Sequence, residues 1–104
     1  MTRNKYGAKK TVVGGIKFDS KAEARRYGHL KLLERVGDIS DLELQPKYDL
    51  MIKGVKVGFY KADFRYMQDG ELIVEDVKGM KTPIYNLKKK MIKAIYGIEI
   101  LETK

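Results

Sequence analysis

Three acidic residues and one lysine carry the chemical potential of this sequence: Glu23, Asp63, Asp76 and Lys78. Asp69-Gly70 is its strongest short-range hairpin signal, because a tight primed turn needs two residues that accept positive φ. A hairpin folded on that pair sets Asp63 directly opposite Asp76. Directly opposed residues have Cβ atoms about 4.5–5.5 Å apart, where two like charges destabilise a sheet unless something compensates. A divalent cation is the simplest compensation, since Mg²⁺ is commonly held by one or two carboxylates and water. Lys78 falls on the same strand face as Asp76, two positions on. A four-residue loop from Gln68 to Glu71 preserves this register, whereas a bulge or an odd-length loop shifts it. The plainer alternative is that Lys61, Asp63 and Arg65 form a solvated face and that Asp76 and Lys78 merely end a strand.

Glu23 has two readings. Ser20-Lys21-Ala22-Glu23 has the spacing of a capping box, which accounts for a glutamate there. It also precedes Tyr27 by four residues and Leu30 by seven, so it shares the helix face that turns toward a sheet. The two roles are compatible. Glu75 alternates to the opposite strand face beside Ile73 and Val77, which points to a structural role rather than a ligand. Cysteine is absent and His29 is the sole histidine. That excludes disulfides, thiolate nucleophiles, cysteine-ligated zinc and most two-histidine sites. His29 reads as an ordinary helix residue.

The elements that must position these groups follow from periodicity. Residues 20–36 predict a helix with Tyr27, Leu30, Leu33 and Val36 at helical intervals, closed by Gly37. Residues 39–52 alternate as a strand, bent or at an edge near Pro46. Residues 55–67 alternate as a second strand, and 71–78 as a third that folds back on it. Thr82 caps a helix that begins at Pro83, shows Ile84, Leu87, Met91 and Ile95 as a stripe, and ends at Gly97. Residues 98–101 form a last strand, parallel to the third strand if it pairs there, because it arrives by a helical crossover. The order αβββαβ implies an α/β fold, a mixed sheet flanked by helices.

The chain has 104 residues and a formal net charge of +8, with 43% apolar and 35% charged residues, consistent with one small domain. Residues 1–15 read as a basic N-terminal arm or a short edge element, and 16–104 as the domain. No segment approaches the ~20 apolar residues needed to span a bilayer, and no secretory signal is evident, so a cytoplasmic location without membrane association is expected. A sequence pI near 9.6 favours a polyanionic partner, nucleic acid ahead of anionic membrane. Lys9 and Lys10 in the arm suit phosphate contacts. So do Lys81, Lys88, Lys89, Lys90 and Lys93, unless they form only a solubilising face. Tyr85 reads as core packing in preference to base stacking.

Glu23 on a first helix, Asp63 in Ala62-Asp63-Phe64, and Asp76-Val77-Lys78 before Gly79 resemble the PD-(D/E)XK nuclease superfamily. Residues 60–64 and 74–79, with 85–90 after them, are similar to a small phage-encoded family known as domain of unknown function 1064, regarded as nuclease-like. Ala62 stands where the superfamily's name-giving proline would be, which touches backbone stiffness and removes no ligand. The resemblance implies a restriction-endonuclease-like αβββαβ core. It further implies Mg²⁺ or Mn²⁺ on Asp63, Asp76, the Val77 carbonyl and Glu23, with Lys78 orienting the attacking water.

The expected activity is metal-dependent hydrolysis of DNA phosphodiesters, with branched or junction DNA in phage recombination or packaging as a candidate substrate. Phage replication or packaging proteins would then be partners, in the cytoplasm of a host cell. One active site per chain makes a homodimer a natural way to cut both strands. The alternatives are a non-catalytic basic DNA-binding module on a degenerate nuclease fold, and a structural adaptor in a phage assembly.

Overall fold

The computed structural model describes residues 11–78 and 81–104. In chain order the elements are β1 (Thr11–Val13), β2 (Ile16–Phe18), α1 (Lys21–Arg35), β3 (Ser40–Leu44), β4 (Lys47–Ile52), β5 (Val55–Lys61), β6 (Phe64–Gln68), β7 (Glu71–Val77), α2 (Pro83–Tyr96) and β8 (Leu101–Thr103). Helix α1 starts where Ser20, in extended backbone, accepts from the Glu23 N–H at 3.1 Å, satisfying one of the amides a helix start leaves free. Helix α2 starts the same way, with Thr82 accepting from the Tyr85 N–H and Pro83 in the first turn. It ends at Gly97, whose φ of +70° is left-handed and costs glycine little.

The central sheet has the order β3-β6-β7-β8. β3/β6 and β6/β7 are antiparallel and β7/β8 is parallel, so the sheet is mixed and α2 provides the crossover. β6 and β7 pair from Phe64↔Glu75 to Gln68↔Glu71. Asp69 and Gly70 between them have φ of +51° and +78°, the primed turn that holds the register. On one face, α1 packs over Phe64 and Tyr66 with Phe18, Ala24, Leu30 and Ile39. On the other, Tyr85 and Ile92 of α2 join Val74, Ala62, Ile100 and the β4–β5 hairpin residues Tyr48, Leu50 and Tyr60.

Three expectations change. The two long strands expected over 39–52 and 55–67 are each broken, at Gln45-Pro46 and at Ala62-Asp63, so β4 and β5 leave the sheet as a separate hairpin. The breaks are adjacent: the Gln45 N–H donates to the Asp63 carbonyl at 2.9 Å and the Ala62 N–H to that of Pro46 at 3.0 Å. One ribbon therefore bends as a unit, with Gln45 at φ +52°, and a second turn at Lys53-Gly54, φ +49° and +80°, closes its far end. The stripe on α2 is rotated, with Tyr85 and Ile92 buried while Ile84 and Leu87 are 67% and 59% exposed. Tyr85 buries a larger apolar body and still places its hydroxyl on Glu102 at 2.7 Å, which an isoleucine cannot do. The last strand begins at Leu101 instead of Ile98. Of the segment read as a basic arm or a short edge element, residues 11–13 pair with 16–18 as a short hairpin, while residues 1–10 lie outside those described.

Glu75 pins the layers together. It is 0% exposed and accepts from Arg26 Nε and Nη2 of α1 at 2.7 and 2.9 Å, from the Tyr66 hydroxyl at 2.7 Å and from Thr103 of β8 at 3.0 Å. Burial and the bond to Glu75 push the Tyr66 hydroxyl up to about 12, so it remains a donor at any physiological pH. Removing one partner of a buried pair leaves the other charge uncompensated, which typically costs about 3–5 kcal/mol. Arg26→Ala is therefore expected to lose a stability of that order in urea unfolding, and a loss below ~1 kcal/mol, the scale of an exposed ion pair, would show that Glu75 is not anchored this way.

Candidate functional site

Where the ribbon bends away from the sheet, β6 and β7 lose their ladder one pair beyond Phe64↔Glu75, and two carboxylates take over the backbone groups left there. The Asp63 N–H is shared between the Glu75 carbonyl at 3.2 Å and Asp76 Oδ1 at 2.9 Å. The Val77 N–H donates to Asp63 Oδ2 at 2.7 Å. Each aspartate thus holds the other's strand through one oxygen, and the juxtaposition expected from the turn is present although the register pair itself has dissolved into side-chain bonds. Val77 lies in this clasp through its backbone. Lys78 follows, anchored by its N–H on the Thr103 carbonyl at 2.8 Å, with Nζ 3.9 Å from Asp76 Oδ2 and 4.4 Å from the centre of the Tyr85 ring.

Asp76 is 1% exposed, and its Oδ2 is one of two buried side-chain polar atoms among the described residues with no hydrogen-bond partner, the other being the Tyr60 hydroxyl. Burial pushes the Asp76 carboxyl up to about 6, opposed by Lys78 and the bond from Asp63. Asp63 is also raised, again by burial, with the Val77 N–H and Lys78 pulling it back. Glu23 rises to about 7 through burial and the nearby charges of Asp63 and Asp19. Its backbone serves the helix cap, while its side chain lines a cleft of about 100 Å³ with Asp63, Gln45, Ile16 and Phe18.

A desolvated carboxylate oxygen with no donor suits a hard cation, which prefers oxygen ligands. Among the described residues, no group of three or more acidic or histidine side chains is gathered closely enough to hold a metal ion. The fold therefore brings Asp63, Asp76, Val77 and Lys78 into one cluster, with Glu23 on the bordering cleft and not in a closed three-carboxylate cage.

The lysines expected to meet phosphate are differently placed. Lys81 and Lys89 both pair with Glu102, at 3.0 and 3.2 Å, so neither is a free cation. Glu102 sits beside Asp76 on β8, and the Tyr85 hydroxyl together with these lysines lowers it to about 2. Lys88 instead reaches over the ring of Phe59, 5.3 Å from its centre. Lys9, Lys10 and Gly79 lie outside the described residues. Gln45, beside Pro46 a possible substrate contact from sequence, lines the cleft with Glu23 and Asp63, whereas Glu102 and Arg26 were not identifiable as neighbours of the site from sequence. Glu102 lies one residue past the last strand expected from sequence, and only the observed β8 (Leu101–Thr103) brings it beside Asp76.

The chain belongs to the family described as Protein of unknown function (DUF1064), whose model matches residues 3–101. No curated protein and no solved structure matches it. No helix among the described residues is long and apolar enough to cross a membrane.

Acids held above their unfolded values favour the protonated state in the fold. Their stabilising contribution is complete near the ordinary carboxylate value of about 4 and is lost as pH rises through about 6 for Asp76 and about 7 for Glu23. The melting temperature of the metal-free protein should therefore fall between pH 5 and pH 8, by several degrees per kcal/mol lost, and Asp76→Asn should flatten the decline. A melting temperature that rises over this range, or an equal decline in the variant, would show that these carboxyls are not strained by burial.

Proposed function

We propose that this DUF1064 member is a metal-dependent endonuclease that hydrolyses DNA phosphodiester bonds on a PD-(D/E)XK-type core. The observation that carries this reading is the buried Asp76 carboxylate, aligned by the Asp63 N–H at 2.9 Å with its second oxygen unsatisfied and the Lys78 ammonium 3.9 Å away. A fold stabilised only by packing gains nothing from a desolvated acid with one oxygen left without a donor. A cation site gains a preorganised ligand.

Mg²⁺ or Mn²⁺ would be held by Asp63, Asp76 and the Val77 carbonyl, with Glu23 reaching it from the cleft. Once bound, the ion lowers the pKa of a coordinated water and neutralises charge on the phosphate. Asp63 and Asp76 orient their free oxygens, because the Val77 and Asp63 N–H groups fix the other two. Lys78 stands between Asp76 and the Tyr85 ring, so its ammonium is positioned before substrate arrives. There it donates to the attacking water or to the phosphoryl oxygens as negative charge develops. A charge of +8 over the whole chain draws the polyanion in, and the affinity should fall with salt as counterions are released. A phage recombination or packaging setting, and a dimer to cut two strands, belong to the same reading.

Purified protein incubated with duplex, single-stranded and four-way-junction DNA should cut only when Mg²⁺ or Mn²⁺ is present. Asp63→Ala, Asp76→Ala and Lys78→Ala should each lower the rate by about 100-fold or more while DNA binding in EDTA persists. Absence of cleavage by the wild type on every substrate would overturn the catalytic assignment in favour of a DNA-binding module, and cleavage that survives Asp76→Ala would place the chemistry elsewhere.

A further inference from the structure

The β4–β5 hairpin leaves an unusual surface. One side of it is core, but Met51, Ile52, Val55, Val57 and Phe59 are all 41–62% exposed. Phe59 stands apart from the others in its surroundings. Its ring is 43% exposed, with Lys47 Nζ 4.5 Å from its centre and Lys88 Nζ, arriving from α2, at 5.3 Å. Two ammonium groups converging on one ring repel each other, and a cation–π contact at an exposed ring is weak. The arrangement therefore lacks an anion.

The charge of the hairpin selects its occupant. Residues 47–61 contain four lysines and one acid, and that acid, Asp49, already pairs with Lys56 at 3.3 Å. A second copy of the chain would bring the same positive charge against itself. A polyanion that also offers flat apolar faces satisfies both the lysines and the ring, and nucleic acid is that polyanion. In a duplex the base faces are hidden by their neighbours, so the ring suits a base that is not paired and stacked.

We infer that Phe59 is a stacking platform for an unpaired DNA base, with Lys47 and Lys88 placed for the phosphates beside it. The inference deepens the proposed function and rests on it for the identity of the polyanion. Asp63 lies four residues further along the chain, at most about 13 Å of extended strand, so a base on Phe59 and a phosphate beside Asp63 would be only a few nucleotides apart. The site would then act beside unpaired nucleotides, at single-stranded segments or branches.

The test uses the full chain in EDTA, so that binding is read without cleavage. The sequence contains no tryptophan, which makes Phe59→Trp a lone fluorescent reporter. Its emission should be quenched by oligothymidine and not by a blunt duplex. By anisotropy with labelled DNA, Phe59→Ala and Phe59→Leu should weaken single-strand binding about ten-fold or more and leave duplex binding unchanged, whereas Phe59→Tyr retains both. Lys47→Ala with Lys88→Ala should weaken both and reduce the salt dependence by about one per lysine.

Wild-type affinity for single strands in Phe59→Ala, or an unquenched tryptophan at saturation, would overturn the inference. So would loss of a dimer in Phe59→Ala with DNA binding intact, which would make the patch a contact between copies. Phe59-dependent binding without any cleavage in Mn²⁺ would retain this surface and remove the nuclease. Cleavage with Phe59-independent binding would do the reverse.

Discussion

Two hydrogen bonds from backbone to side chain, Asp63 N–H to Asp76 and Val77 N–H to Asp63, are the constraint on which the rest of the site depends. They occur because the ribbon must leave the sheet at Ala62-Asp63. Strands that diverge strand their amides, and buried amides demand acceptors. Meeting that demand with aspartates instead of water fixes two carboxylates in place, at the cost of burying them. Lys78, the residue just past the end of β7, is held beside them by its N–H on the Thr103 carbonyl.

The neighbouring residue shows how differently the fold can treat a buried acid. Glu75 and Asp76 are adjacent and equally inaccessible, at 0% and 1%. Glu75 faces α1 and receives a bidentate guanidinium, a phenol and a threonine hydroxyl, the full complement that makes a buried charge tolerable. Asp76 faces α2 and keeps an oxygen with no donor. Glu102, paired with Asp76 across β7 and β8, takes Lys81 and Lys89 itself. Among the described residues, Lys78 is the cation paired with Asp76, at 3.9 Å. The chain thus solves the problem of a buried carboxylate fully at one position and leaves it open at the next, and the open position is the one that can bind something.

Much of this was legible in the sequence, because the signals were local. Asp69-Gly70 fixed the β6/β7 register, Ser20 and Thr82 marked both helix starts, and face alternation separated Glu75 from Asp76. What escaped depended on tertiary geometry. Gln45 and Asp63 carry ordinary strand spacing on either side, and only their mutual hydrogen bond shows that both strands break together. Lys53-Gly54 is a weaker turn signal than Asp-Gly, and it was absorbed into the interval between two alternating runs. Tyr85 was legible as a core residue and is buried, but the exposure of Ile84 and Leu87 and the bond from the Tyr85 hydroxyl to Glu102 were not. The capture of Lys81 and Lys89 by Glu102 likewise joins residues that only the parallel β7/β8 pairing brings together. Charge counting saw lysines, and not which of them were spoken for.

The central claim is that Asp63 and Asp76 together form a cation site in front of Lys78, and diffraction from crystals grown with saturating Mn²⁺ tests it most directly. The account predicts an anomalous peak in contact with carboxylate oxygens of both aspartates, lost in Asp76→Ala crystals. A structure at saturating Mn²⁺ with no peak between them, or with the two side chains on opposite sides of the sheet, would contradict it.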